Sequence, residues 1–300
     1  MSDPTSSFNI ESKSIKKIIK TNSDNILSIC ILNDGRIATS TFCEIVIYNL
    51  ETDKKDMEIH ENIEEVSHLF LMRNGHLFSS ACEECIIYDI KENSYEIIQK
   101  LGNLAGDTSK SIELDNGDIV CLHKGFYVFK FNPAESNYFL FKYVEDGKFF
   151  NDVIQINSEK IVTSNNAGEQ LKIWNVKDWS LLNQINNVQV GPYNNCLYLI
   201  DSKNMVVGGT KSIYLIDLIN CNVKNKIDNK YTVFSICPIS DKIFLTTGNE
   251  GTITQWKFDN DEINKEQEKE NFAKEECLCM AYLSNGVVLL GDSKNLIVIE

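Results

Sequence analysis

Metal or redox chemistry in this chain would have to come from its cysteines and histidines. Cys82 and Cys85, in "ACEECI", have the spacing of half a zinc site or a redox pair. A structural zinc needs four ligands in tetrahedral reach, yet the other close pair, Cys277 and Cys279, lies near the far end of the sequence. None of the histidines has metal-ligand spacing to another; they are His60, His68, His76 and His123. We therefore predict neither a metal site nor a cofactor.

Acid–base catalysis needs several carboxylates, amides or imidazoles that converge on one point. In the repeat alignment described below, one position of the first strand of each copy could approach a shared centre. Its residues are Ser28, His68, Lys110, Asp152, Cys196, Ser235 and Cys279. This is a thin set for a reaction, so we predict that the protein is not an enzyme. A small-molecule or metal-dependent hydrolase that uses His68 and Asp152 is the alternative.

The charge balance argues against nucleic acids and anionic membranes as partners. The formal net charge is −14, from 43 acidic and 29 basic residues, and this charge repels phosphate backbones and anionic lipids. Arginine, which suits bidentate phosphate recognition, occurs only at Arg36 and Arg73. We expect protein partners with neutral or basic surfaces, no direct nucleic-acid binding and no membrane insertion. Self-association stays open.

Composition and cysteine placement indicate a folded, unexported protein. The chain is 43% hydrophobic and 24% charged, as in globular domains, and no apolar run approaches the roughly 18 residues that span a bilayer. The N-terminal segment lacks the apolar core of a signal peptide. The ten cysteines lie largely inside apolar, strand-like runs, which is typical of thiols in a reducing compartment. We expect an intracellular protein, cytoplasmic rather than nuclear.

A short motif recurs along the whole chain and determines the predicted fold. "IVIYNL" at 45–50 returns as "IIYDI", "KIWNV", "YLIDL" and "TQWKF". The alignment places seven residues in one column, at steps of 40, 41, 45, 42, 40 and 43 residues: Tyr48, Tyr88, Phe129, Trp174, Ile216, Trp256 and Ile299. Each copy contains four short apolar stretches separated by turns, and Asn-Gly or Asp-Gly turns such as "LNDG" at 32–35 are strong hairpin signals. Four strands per copy of about forty residues match the blade of a β-propeller.

In these motifs the sequence resembles the WD-repeat β-propellers over essentially its whole length. Copy six, "GNEGTITQWKF", and copy four, "TSNNAGEQLKIWNV", are most similar to the family blade. No copy has the Gly-His pair of the family at the family's position, and the Asp column reads Asn49, Asp89, Lys130, Asn175, Asp217, Lys257 and Glu300. The resemblance implies an all-β, seven-bladed propeller of four-stranded antiparallel blades. It also implies a scaffold or adaptor that binds proteins.

Ring closure predicts the boundaries of the blades. Copy seven stops at the end of its third strand, and "SIKKIIK" at 14–20 has the alternation of a strand that could complete this blade. We therefore expect one domain over 1–300, with a polar tail at 1–13 and a closing strand at 14–20. The predicted blades are 25–60, 64–101, 108–145, 149–187, 192–228, 231–270, and 276–300 together with 14–20.

The resemblance also implies that the loops entering each blade and the turns after each second strand share one face, called the top face here. A mixture of aromatic anchors and carboxylates is typical of a binding hot spot. The residues predicted for a partner-binding site on this face are Phe42, Glu83, Glu84, Phe149, Phe150, Tyr193, Tyr231 and Glu250. The charged stretch at 260–276 is expected to be an extended strand with a solvated loop, or a docking segment.

Overall fold

The computed structural model contains seven four-stranded antiparallel sheets, which are arranged as the blades of a ring. It describes residues 8–21, 25–61, 64–102, 104, 106–165, 169–191 and 196–300. The innermost strands of neighbouring blades contact one another all the way around the ring, including those of blades seven and one. The all-β, seven-bladed architecture that the repeat predicts is confirmed.

The strands follow one another in each blade from the inside of the ring to the outside. The first strand of the chain is β1 (Ile15–Lys20). Blade one contains β2 (Ser28–Ile31), β3 (Ile37–Ser40), β4 (Ile45–Asn49) and β5 (Lys54–Ile59). Blade two contains β6 (Val66–Leu71), β7 (Leu77–Ala81), β8 (Cys85–Ile90) and β9 (Tyr95–Leu101). Blade three contains β10 (Ser111–Glu113), β11 (Ile119–His123), β12 (Gly125–Asn132) and β13 (Asn137–Glu145).

The remaining blades repeat this order. Blade four contains β14 (Asp152–Asn157), β15 (Lys160–Asn165), β16 (Gln170–Asn175) and β17 (Leu181–Asn186). Blade five contains β18 (Leu197–Leu199), β19 (Asn204–Gly209), β20 (Ser212–Asp217) and β21 (Asn222–Asp228). Blade six contains β22 (Ser235–Pro238), β23 (Ile243–Thr247), β24 (Ile253–Asp259) and β25 (Glu262–Lys269). Blade seven contains β26 (Cys279–Tyr282), β27 (Val288–Gly291) and β28 (Asn295–Ile299), and β1 pairs with β28. In the described residues, 3₁₀ turns cover Ile10–Ser12 and Asn249–Gly251.

The apolar core is divided into clusters that lie between neighbouring blades. The described residues form seven such clusters, one for each blade junction, and each combines side chains of two adjacent blades. The motif residues are part of them: Trp174 packs between blades three and four, and Trp256 between blades five and six. Both indole Nε1–H groups donate to a buried threonine of the second strand, Thr163 and Thr246, at 2.9 Å. Burial of both faces of a blade explains why its middle strands are apolar without alternation.

A β-bulge recurs at the motif column in every blade. The outer strand has one extra residue opposite the step into the motif residue; for example, Ile47 pairs with Met57 and Tyr48 with Lys55. β1 has the same irregularity, since Ile15 pairs with Ile299 and Lys17 with Val298. Such a bulge increases the local twist of the sheet. The N-terminal strand therefore has the geometry of an ordinary fourth strand, and ring closure by this strand is observed.

The residues just before β1 are packed, in contrast to the polar tail expected there. Phe8 and Ile10 are buried in the cluster between blades six and seven. Gln255, on β24, accepts from the Ile10 main-chain N–H and donates to the Phe8 carbonyl oxygen, both at 3.1 Å. Two apolar side chains in an otherwise polar segment are thus enough to fix it against the ring.

The turns use the residues that their geometry requires. The glycines of the four Asn-Gly or Asp-Gly turns have φ between 84° and 91°, and each main-chain N–H donates to the carbonyl three residues earlier. Two residues of the Asp column stabilise turns. The side chains of Asn49 and Asp217 each accept hydrogen bonds from main-chain N–H groups of the hairpin that follows. The charged stretch at 260–276 contains the outer strand β25, followed by a loop that buries Phe272 and Cys277.

Removal of one motif aromatic should strongly destabilise the ring. Trp256 is fully buried, so Trp256→Ala should lower the free energy of unfolding by about 3–5 kcal/mol. Urea denaturation monitored by circular dichroism measures this loss. The control is Leu182→Ala on β17, an outer-strand residue that is 45% exposed, which should change stability by about 0.5 kcal/mol or less. A loss below about 1 kcal/mol for Trp256→Ala would contradict the packing described.

Two neighbouring residues of β1 test the closing strand. Ile19 packs against the cluster between blades seven and one, whereas Ile18 is 51% exposed. Ile19→Asp places a carboxylate against apolar side chains and should cost about 1–3 kcal/mol, while Ile18→Asp should have little effect. Thermal and urea unfolding of both variants compares them directly. Equal stabilities would show that β1 does not pack as described.

Candidate functional site

A cavity of about 910 Å³ opens at the centre of the top face. We call it the channel mouth. Its walls are the segments that lead into the inner strands of blades one, two, three, four and seven, together with turns between second and third strands. Its lining includes aromatic, acidic and thiol side chains: Phe42, Glu64, Glu65, Cys82, Asp107, Phe149, Glu275 and Glu276.

Hydrogen bonds between neighbouring blades hold the walls of the channel mouth in place. The Ser67 hydroxyl donates to the Thr108 carbonyl at 2.5 Å, and the Ser109 hydroxyl donates to the Phe150 carbonyl at 2.6 Å. The Thr108 hydroxyl donates back to the Ala81 carbonyl at 2.8 Å. The entering segments of blades two, three and four are thereby tied together, so this part of the mouth is a preformed surface.

The channel mouth is acidic. Five carboxylates line it: Glu64, Glu65, Asp107, Glu275 and Glu276. Burial, and the nearby Asp107 charge, raise the pKa of Glu65. Burial also raises the pKa of the Cys82 thiol, and hydrogen bonds to Asp107 and Glu64 raise it further. Cys82 therefore stays a neutral thiol. It adds no positive charge, so the negative charges of the five carboxylates are not compensated within this set.

The ligand atoms of Glu64, Cys82 and Asp107 lie within 4.8 Å of one another. Among the described residues, this is the group whose spacing would allow it to hold a metal ion. Cys85 does not belong to it, because its buried Sγ lies 3.9 Å from the Sγ of Cys121 between blades two and three. The Cys82–Cys85 spacing thus does not bring the two thiols to one site. All ten cysteines are free thiols.

The column around His68 and Asp152 joins blades instead of facing the channel mouth. Asp152 is fully buried; its Oδ1 lies 2.5 Å from the Lys110 Nζ, and its Oδ2 accepts from the Leu197 main-chain N–H at 2.8 Å. Ser28 accepts from the Leu69 N–H of the next blade. Burial, with a contribution from the Lys110 charge, lowers the pKa of His68. Asp152 and Ser28 of this column are therefore used for contacts between blades.

The residues predicted for the binding site differ in whether their side chains reach the surface. Phe42 and Phe149 are 55% and 50% exposed and line the channel mouth. Phe150 is 1% exposed, and its ring packs between blades three and four. Its side chain does not reach the surface, because consecutive residues of an extended segment point in opposite directions. Only its carbonyl reaches the mouth.

The other predicted residues either do not belong to the lining of the channel mouth or lie outside the described chain. Glu83 is exposed and Glu84 half-buried in the turn after β7, where Glu84 Oε2 is 3.4 Å from Lys100 Nζ. The Tyr231 hydroxyl donates to Glu270 at 2.6 Å. Glu250 contributes its backbone to the 3₁₀ turn Asn249–Gly251, and its side chain is not among the described groups. Tyr193 lies outside the described residues.

Sequence reasoning missed the carboxylates of the channel mouth. These carboxylates could have been found from a second column of the repeat alignment, which lies three residues before the column of Ser28 and His68. In the blades that form the mouth, this second column contains Asn25, Glu65, Asp107, Phe149 and Glu276. Four of these five residues are acidic or aromatic. Alignment of the entering loops as well as the strands would have revealed this column.

Comparison with known proteins identifies the fold. No protein-family model matches the sequence, and a search of curated proteins finds no match. Solved structures that are similar include a chain of the mitotic checkpoint complex (TM-score 0.79, 13% identity, 100% of this chain and 94% of that chain). U3-55K is also similar (0.77, 13%, 94% and 97%), as are the WD40 repeats of RRP9 (0.76, 13%, 94% and 96%). The fold is that of the WD40-repeat propellers.

This WD40 fold explains why the top face has the concave site. The inner strands of the propeller converge on the axis, and their entering loops surround it. In the described residues, no helix of the propeller is both long and apolar enough to cross a membrane.

The buried ion pair of the inner column should be structural. Lys110→Met removes the cation beside the fully buried Asp152, and an unpaired buried carboxylate costs about 3–5 kcal/mol. Urea unfolding measures the change, and combination with Asp152→Asn should recover part of it. A loss below about 1 kcal/mol would show that Lys110 does not stabilise Asp152.

The crowded carboxylates should make stability depend on pH. Because the pKa of Glu65 is raised, its ionised form is less favourable in the folded protein than in the unfolded chain. Its stabilising contribution is present at low pH and is lost as the pH rises through the raised pKa. Glu65→Gln should therefore raise the melting temperature at pH 7, and the gain should vanish at a pH of about 3.5. Glu51→Gln, on the opposite face, is the control; equal pH profiles for the two variants would contradict the assignment.

Proposed function

We propose that this protein is a non-catalytic scaffold or adaptor that binds protein partners through the top face within an intracellular complex. The observation that carries the proposal is the pair of exposed rings, Phe42 and Phe149, on the wall of one preformed 910 Å³ mouth. Exposed aromatic anchors with a polar surround favour protein binding. Function on a rigid scaffold resides in such loops.

The structural neighbours support the same class of function. One of them is a chain of the mitotic checkpoint complex, so a propeller of this fold takes part in a multiprotein assembly there. At 13% identity this likeness shows the fold, and the role of the present chain is inferred from its surface. The residues that we assign to the binding surface are Phe42, Glu83, Glu84, Phe149, Tyr231 and Glu250. Phe150 contributes by packing.

The chemistry of the surface favours proteins over other partners. The net charge of −14 and the acidic mouth oppose nucleic acids and anionic lipids. The inner column, in which a hydrolase would place its acid and base, is bonded to neighbouring blades through Asp152 and Ser28. Free thiols at all ten cysteines suit a reducing compartment.

Affinity capture with matched variants tests the proposal. Tagged protein is recovered from native lysate and its partners are identified by mass spectrometry. Phe42→Ala with Phe149→Ala should lose a near-stoichiometric partner, because hot-spot aromatics contribute about 2 kcal/mol or more each. The control, Leu181→Ala with Leu182→Ala, changes two exposed apolar residues at the outer edge of blade four and should keep it.

Two results would contradict the adaptor function. Either the folded parent protein brings down no specific partner, or the partner is lost from the blade-four variant and kept by the top-face variant. Melting temperatures of all three proteins show whether the variants are folded.

A further inference from the structure

The chemistry of the channel mouth specifies its partner more closely than exposed aromatics alone. Its described lining contains five carboxylates and no lysine, arginine or histidine. The ion pairs nearby involve other acids: Glu84 pairs with Lys100, and Asp152 with Lys110. Lys124 lies at the rim, with its Nζ 5.1 Å from the centroid of the Phe149 ring, and Lys274 and Lys294 adjoin the lining residues Glu275 and Ser293 in the sequence. The lining itself therefore has an excess of negative charge.

The negative charge is carried by side chains that are exposed to solvent at the mouth. Glu64 and Asp107 have carboxylate oxygens within 4.8 Å of each other and of the Cys82 sulfur. Burial raises the pKa of Glu65, and the charge of Asp107 raises it further. Like charges at these distances repel, and an added cation relieves the repulsion. Charge complementarity thus favours a positively charged group at the centre of the face.

The aromatic rings define the shape of the occupant. Phe42 belongs to blade one and Phe149 to the segment entering blade four, so the rings stand on different sides of the acidic centre. Phe42 is more than half exposed and offers an apolar wall for the methylene groups of a long side chain. A volume of about 910 Å³ is at the upper end of the range for ligand pockets. It accommodates a few residues of an extended chain.

We infer that the channel mouth binds a basic segment of the partner protein by inserting an arginine or lysine side chain among Glu64, Glu65, Asp107, Glu275 and Glu276. The aliphatic stem of that side chain lies against Phe42. This inference rests on the proposed function, because it assumes a protein partner at the top face. It adds the chemical class of the segment and the atoms that recognise it.

Positional-scanning peptide libraries test this recognition. The probes are fluorescein-labelled nonapeptides with one fixed residue and all others mixed, and binding to the purified chain is measured by anisotropy in EDTA, so that no metal ion bridges the two. Libraries with fixed arginine or lysine should bind at least about tenfold more tightly than those with fixed citrulline, acetyl-lysine or glutamate, since close charge pairs stabilise complexes. The affinity should fall as salt rises.

A matched pair of variants distinguishes the channel mouth from general electrostatic attraction. The first is Glu64→Gln, Asp107→Asn, Glu275→Gln and Glu276→Gln, which should abolish the preference for basic libraries. The second changes the net charge equally on the opposite face, by Glu51→Gln, Glu92→Gln, Glu135→Gln and Glu262→Gln, and should keep it. Glu275→Gln with Glu276→Gln alone changes two exposed side chains, and this smaller variant should reduce the preference without affecting the fold.

The outcomes separate this inference from the adaptor function. Equal binding of basic and neutral libraries, or equal losses in the two fourfold variants, overturns the inference. If a captured partner depends on Phe42 and Phe149 but not on the four carboxylates, the adaptor function stands and the inference fails. If no partner depends on the two phenylalanines, the proposed function itself fails.

Discussion

The packing of one blade against the next is the constraint on which the rest of the structure depends. No blade has its own core; the apolar side chains of each sheet are covered only by those of its neighbours, as in the cluster that joins Ile47 of blade one to Tyr88 of blade two. A single blade would expose both faces to water, so the clusters are stable only as a closed series. The inner strands add polar links of the same kind, such as Asp152 to the Leu197 N–H. The position of each blade around the ring is thereby fixed. The geometry of the channel mouth is fixed with it.

The close packing also determines which residues the second strands can use. These strands lie between two neighbours, and several of them end in small residues, as in "ATS" of β3, "SSA" of β7 and "GG" of β19. At Gly208, a Cβ atom would lie 2.4 Å from Cγ1 of Val233, in the segment that enters blade six, so a larger residue would push the two blades apart. Gly208 of "MVVGG" therefore allows blades five and six to pack closely together.

The features that the sequence reveals are those that repeat. Period, hairpin turns and the motif aromatics predict seven blades and the closing strand, because each copy must satisfy the same packing. The individual features were less accessible. Phe149 and Phe150 are adjacent and chemically alike, yet one is exposed and the other buried, and only the direction of the backbone decides between them. Phe8 and Ile10 precede the first copy, so no column predicts their burial. The carboxylates of the mouth lie in the entering loops, and their convergence requires the ring to be closed.

The closing blade pairs strands from opposite ends of the sequence, since Ile18 lies beside Ile297. Such pairing has the largest loop-closure entropy in the molecule and slows folding relative to local hairpins. Blades one to six consist of consecutive strands and can form in the order in which the ribosome releases them. β1 is made before these blades, and its partner β28 is made after them. Ring closure therefore has to wait until the last blade has been synthesised. The acidic mouth is completed only when blade seven joins blade one.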